Sequence, residues 1–148
     1  MRTQDALADS VLACKQLIGR YLVGFTDESH TRQAPGLPNH VAWCLGHCAL
    51  TMHRVSEKLD GRPMPTSDFH AGLAPPSPPG SNAPDRFGTE LVAFGSRPTD
   101  AAPEYPALAR CIEIYDHACD RLAAAARSAT AEKLAERAAW GRPRSRSR

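Results

Sequence analysis

Ten of the thirteen prolines in this chain fall between residues 62 and 107, four of them in the run Pro75-Pro76-Ser77-Pro78-Pro79. Proline lacks a backbone N–H and clashes with the preceding helical turn, so that stretch cannot be a regular element. The flanks, by contrast, carry helical periodicity and no sustained two-residue alternation. In residues 4–28, Val11, Cys14, Ile18, Tyr21 and Phe25 recur at three- and four-residue spacing, with Leu17 and Leu22 beside them. That is the stripe of a helix laid along a bundle seam. A turn through 29–37 leads to Pro38-Asn39, where Asn39 reads as the N-cap of a second helix from His40 to Leu59. Asp60-Gly61 closes it, with Pro63 beyond. Pro106 suits the first position of a third helix, in which Leu108, Cys111, Ile112, Tyr115, Cys119 and Leu122 share a face to about residue 127. Thr130 reads as the cap of a short fourth segment, 131–139, stopped by Gly141 and Pro143.

These elements predict an all-α, up-down helical bundle with one long Pro-rich crossover between helices two and three. A short helical turn is expected within the crossover near Asp85–Phe94. With 148 residues the chain suits one domain, set at 1–140, followed by a disordered Arg/Ser tail at 141–148. An interdomain linker is the poorer reading of the crossover, because neither flank is large enough to stand alone.

Charge makes nucleic acid the poorest of the candidate partners, reachable only through the salt-sensitive Arg/Ser tail. Removing Arg142, Arg144, Arg146 and Arg148 turns the formal net charge from +2 to −2, so the body of the chain has no basic surface for nucleic acid. No run approaches 18 consecutive apolar residues, and no apolar leader opens the chain. The expected location is cytoplasmic, where the five cysteines stay reduced.

The second helix carries the residues with chemistry. At 100° per residue, His40, Cys44, His47 and Thr51 fall within an arc of about 60°. Trp43 and Leu50 border it on one side, Val41, Cys48 and Val55 on the other. Imidazole and thiolate in an apolar strip suit Zn²⁺, Ni²⁺ or Fe²⁺. The same residues admit a plainer reading, in which His40 helps cap the helix and His47 is a satisfied core histidine. Cys44, between the two histidines, is the thiol whose pKa a metal or cation would lower. Cys14, Cys111 and Cys119 sit on apolar faces as small hydrophobes. His117 points away from its helix's apolar face, and His30, His53 and His70 read as surface histidines.

The run Pro38-Asn39-His40-Val41-Ala42-Trp43-Cys44-Leu45-Gly46-His47 resembles the N-H-x-x-W-x-x-G-H signature of the DinB/YfiT-like superfamily. Phe94-Gly95-Ser96-Arg97-Pro98-Thr99-Asp100 and Tyr105-Pro106 are similar to the stretch before helix three in one branch of it. The resemblance implies a four-helix bundle that binds a divalent metal through three histidines. One of them matches His47, and Asn39, His40, Trp43 and Cys44 would shape the site around it. The other two would form H-x-x-x-H on a fourth helix. Relatives of this kind include metal-dependent hydrolases and transferases that use low-molecular-weight thiols.

This sequence departs from that pattern after Trp140-Gly141, where Arg-Pro-Arg-Ser-Arg-Ser-Arg replaces any further amphipathic run. No H-x-x-x-H is present, and the break reads as a truncated fourth helix or a shifted frame. Two functional expectations follow. One is a metal-binding protein of low occupancy, incomplete as an enzyme, with a small-molecule or thiol partner. The other is a non-catalytic module that covers the groove left by the missing helix, as a homodimer or with a protein partner.

Overall fold

A computed structural model describes residues 1–73 and 75–138. Three long helices dominate it: α1 (Thr3–Tyr21), α2 (Val41–Asp60) and α3 (Leu108–Ser128), followed by a short α4 (Ala131–Ala135). Among the described residues no helix is long and apolar enough to cross a membrane. The expected Arg/Ser tail and the last residue of the predicted fourth segment lie outside the described residues.

The helix ends follow local chemistry, with one correction at the start of α2. Asn39 lies just outside the helix, partly buried, and His40 is the N-cap, its Nδ1 accepting from the Trp43 N–H. Gly61 closes α2 at φ +70°, a left-handed conformation that costs glycine little. Thr130 caps α4 through the Lys133 N–H, as its position suggested. Pro106 lies two residues before α3, whose N-cap is Ala107. α1 ends at Tyr21 rather than continuing to 28, and Gly24 follows at φ +93°.

α3 is the central helix and packs against both α1 and α2. Lys15–Asp120 and Arg127–Asp9 ion pairs show α1 and α3 running antiparallel. Cys119 meets Met52 and Arg121 meets Asp60, so α2 and α3 run parallel. The order is therefore up-down-down rather than strictly alternating. The crossover exists because the chain must return to its starting end before α3 begins.

α1 touches the core through Ala8, Val11, Leu12, Ile18 and Leu22. The outer half of its predicted stripe stays open, with Leu17 at 48%, Tyr21 at 70% and Phe25 at 41% exposure. Cys14, expected on an apolar seam, is likewise exposed. The physical reason is that, among the described residues, α1 packs closely on α3 alone, where its stripe is wide enough for two helices.

The crossover is irregular but firmly attached. Its regular pieces are a two-residue parallel pairing of β1 (Phe69–His70) with β2 (Phe87–Gly88) and a 3₁₀ turn at Ala102–Glu104. The helical turn expected near Asp85–Phe94 is replaced by β2 and turns. Phe69, Phe87, Leu91 and Val92 join the core beneath Trp43, Leu50 and Ile114. Arginines on α3 hold the crossover backbone: Arg110 donates to the carbonyls of Ser67 and Asp85, and Arg121 to those of Arg62 and Pro63.

Two histidines read as surface residues are buried by this arrangement. His30, 3% exposed, sets its ring nitrogens 3.0 Å from the Asp27 carbonyl and 2.9 Å from that of Pro106. His53, 1% exposed, accepts from Arg121 at Nδ1 and places Nε2 3.4 Å from the buried Asp68 carboxylate. Asp68 also faces His117 Nδ1 and Arg110. Burial alone would raise the Asp68 pKa, but the donors His53 and His117 outweigh it and hold it below the usual carboxylate range. His117 is half exposed, and His70 is exposed as expected.

Candidate functional site

The signature residues on α2 divide their tasks by position. Gly46 faces the crossover, where a Cβ would lie 2.8 Å from Phe87 Cε1 and 2.9 Å from Val92 Cγ1. Only the absence of a side chain lets that strand of the crossover approach the helix so closely. The approach brings the Val92 carbonyl within 2.8 Å of His47 Nδ1. A carbonyl can only accept, so Nδ1 carries a proton, and in the neutral ring Nε2 keeps its lone pair. One turn earlier, Trp43 stacks on the His47 ring, with centroids 4.6 Å apart and planes 9° from parallel. Trp43 is itself held by its indole N–H, which donates to Ser96 Oγ at 2.9 Å. Ser96 Oγ in turn donates to the Leu91 carbonyl at 2.9 Å.

His40 belongs to the scaffold. Its Nδ1 accepts from Trp43 N–H and its Nε2 donates to the Thr99 carbonyl at 2.9 Å, so neither nitrogen remains for a ligand. The Tyr105 ring packs edge-on against it at 4.7 Å. Desolvation by burial pushes the His40 pKa below its ordinary value, which suits the neutral ring this double role requires. The plainer of the two readings thus holds for His40, while His47 is oriented and its Nε2 has no hydrogen-bond partner among the described residues.

Cys44 is exposed at its outer edge, yet the protein packed beneath it raises its thiol pKa. The lowering expected of a thiol between two histidines is absent, because His40 is neutral and turned toward Thr99. Cys48 is raised by burial and then by the nearby Cys44. Burial, followed by Cys119, Cys48 and Cys14, raises the Tyr115 hydroxyl.

Among the described residues no group of three or more His, Cys, Asp or Glu side chains could hold a metal ion. Of the residues picked out from the sequence, His47 offers an imidazole nitrogen without a partner among the described residues, while Asn39, His40 and Trp43 surround the start of the same helix. The reading from sequence missed Val92 and Ser96, which orient His47 and Trp43. A backbone carbonyl carries no sequence signal. Gly46 was the one available hint, since an invading segment needs a residue without a side chain.

No curated protein and no solved structure matches this chain. The family model of the DinB superfamily matches residues 13–147, which include the whole of α2 and α3 and the oriented His47. The chain belongs to the DinB superfamily.

Proposed function

We propose that this chain is a divalent-metal-binding protein with an incomplete site, related to metal-dependent hydrolases and thiol-dependent transferases but lacking their catalysis. The observation that supports this reading is the 2.8 Å contact between His47 Nδ1 and the Val92 carbonyl. Such an outer hydrogen bond is what fixes the tautomer and ring direction of a metal-ligating histidine.

The described residues do not fit a full metal centre. A catalytic zinc site takes three protein ligands and an open position, and here one imidazole is preset. Cys44 and Cys48 are poor substitutes at neutral pH because both thiols are raised. Zn²⁺, Ni²⁺ or Fe²⁺ held by His47 and water alone binds weakly and at low occupancy, and no reaction step is assigned to it.

The test is to titrate each of the three ions into the full chain by calorimetry, then measure metal retained after desalting. Weak binding that disappears in His47→Ala and persists in the exposed-site control His70→Ala supports the reading. Tight stoichiometric retention, or binding indifferent to His47→Ala, overturns it.

A second reading is a helical module that self-associates, or binds a protein partner, through the groove that a missing fourth helix would leave. It is favoured by the open apolar residues of α1, Leu7 at 45% and Leu17 at 48% exposure. Sedimentation velocity at two concentrations tests it, and a concentration-independent monomer removes self-association.

A further inference from the structure

Toward the end of α2 remote from His47, a cavity of about 520 Å³ opens between the four helices. Leu7 and Val11 of α1, Val55 and Leu59 of α2, Leu122 of α3 and Leu134 of α4 form its apolar walls. Lys58, Lys133 and Glu136 stand at its rim. Glu136 neutralises Lys133 at 2.7 Å, while Lys58 has no carboxylate partner among the described residues. We infer that this cavity binds a small amphipathic monocarboxylate, with its hydrocarbon body against the leucines and its carboxylate on Lys58.

Two observations carry the assignment. The volume lies within the range of small-molecule sites, about 300–1,000 Å³. The unpaired cation at an apolar mouth selects an anion over a neutral or cationic amphiphile. The inference does not depend on a metal at His47, from which the cavity residue Val55 is eight positions, or about 12 Å along α2.

Decanoate titrated into the full chain by calorimetry, with decanol as the uncharged control, tests the inference. Decanoate should bind one to one and more tightly than decanol. Lys58→Gln should weaken decanoate by up to about fivefold, the size expected of an exposed ion pair, and leave decanol unchanged. Leu7→Asp, a change at an already exposed position, should abolish both, while Lys15→Gln, which does not line the cavity and pairs with Asp120, should change neither. Absence of decanoate binding, equal binding of decanol, or indifference to both variants overturns the inference. So does a sedimenting dimer that decanoate neither dissociates nor binds, since a second copy would then occupy the cavity. Metal titration of Lys58→Gln separates the two proposals, because His47 binding should be unaltered there.

Discussion

Trp43 and His47 stack one turn apart on α2, their ring centroids 4.6 Å apart and their planes 9° from parallel. Each ring is also tied to the crossover, Trp43 through Ser96 and His47 through Val92. The pair therefore has two fixed edges and one shared face, which restricts both side chains to a single orientation. In long-range ¹H–¹⁵N spectra the neutral His47 should show the proton on Nδ1. Finding it on Nε2 would remove the preset donor on which the metal reading rests. Trp43→Ala should lower stability by about 3–5 kcal/mol in urea unfolding, as a buried aromatic truncation does.

Gly46 and Gly19 are both helical glycines, yet alanine should act on them with opposite sign. At Gly46 the new Cβ meets Phe87 and Val92 below 3.0 Å, and overpacking of this kind costs about 1–3 kcal/mol. The gain in helix propensity, about 1 kcal/mol, offsets only part of that. At Gly19 nothing lies within 4 Å, so alanine should stabilise by about 0.5–1 kcal/mol. Urea midpoints of the two variants decide the matter, and a stabilised Gly46→Ala would contradict the close approach of the crossover.

Acid should loosen the lower end of the α2–α3 contact. Partial burial pushes the Asp60 carboxyl up, but hydrogen bonds from Arg121 and Arg62 outweigh it and hold the group down to about 2. The unfolded value is about 4, so the folded state binds this proton less readily than the unfolded one. Its contribution to stability is then complete above about pH 4 and lost as pH falls toward 2. Asp60→Asn should flatten that part of the stability-against-pH curve. Equal slopes in wild type and variant between pH 5 and 2 would exclude the Arg121–Asp60 pair as the cause.

The thiols should be less reactive than their exposure suggests. Cys44 and Cys48 are raised chiefly by burial of the sulfur side of the helix, so at neutral pH little thiolate is present. Alkylation by iodoacetamide, followed by mass spectrometry, should be slower at both than in the unfolded chain, and should accelerate as pH rises. Cys111 and Cys119, both buried and with Cys119 pushed up to about 11, should react only on unfolding. A Cys44 that reacts fastest at pH 6–7 would restore the activated thiol that the sequence suggested.

His47 could be singled out from sequence because Trp43, Gly46 and His47 recur at helical spacing in a recognisable signature. The role of each partner could not, since Val92 is 45 residues away and only its carbonyl is used. His53 shows the same limit. It lies on the small-residue side of α2 that also carries Gly46, Ala49 and Ser56, all buried. That stripe was a legible sign of a covered face, but the polar imidazole made it read as a surface.

Local covalent geometry and apolar periodicity determined where the helices lie, that prolines exclude regular structure from most of residues 62–107, and where Gly61 and Thr130 terminate or cap a helix. These depend on neighbours within a turn or two, which a sequence displays directly. The tertiary structure alone decided the parallel order of α2 and α3, the burial of His30 and His53, and the double engagement of His40. It also left the outer stripe of α1 open and set His47 with one nitrogen used and the other without a partner among the described residues. Those outcomes turn on hydrogen bonds and contacts between segments distant along the chain, where the partner is a backbone carbonyl or a buried carboxylate such as Asp68 that periodicity cannot register.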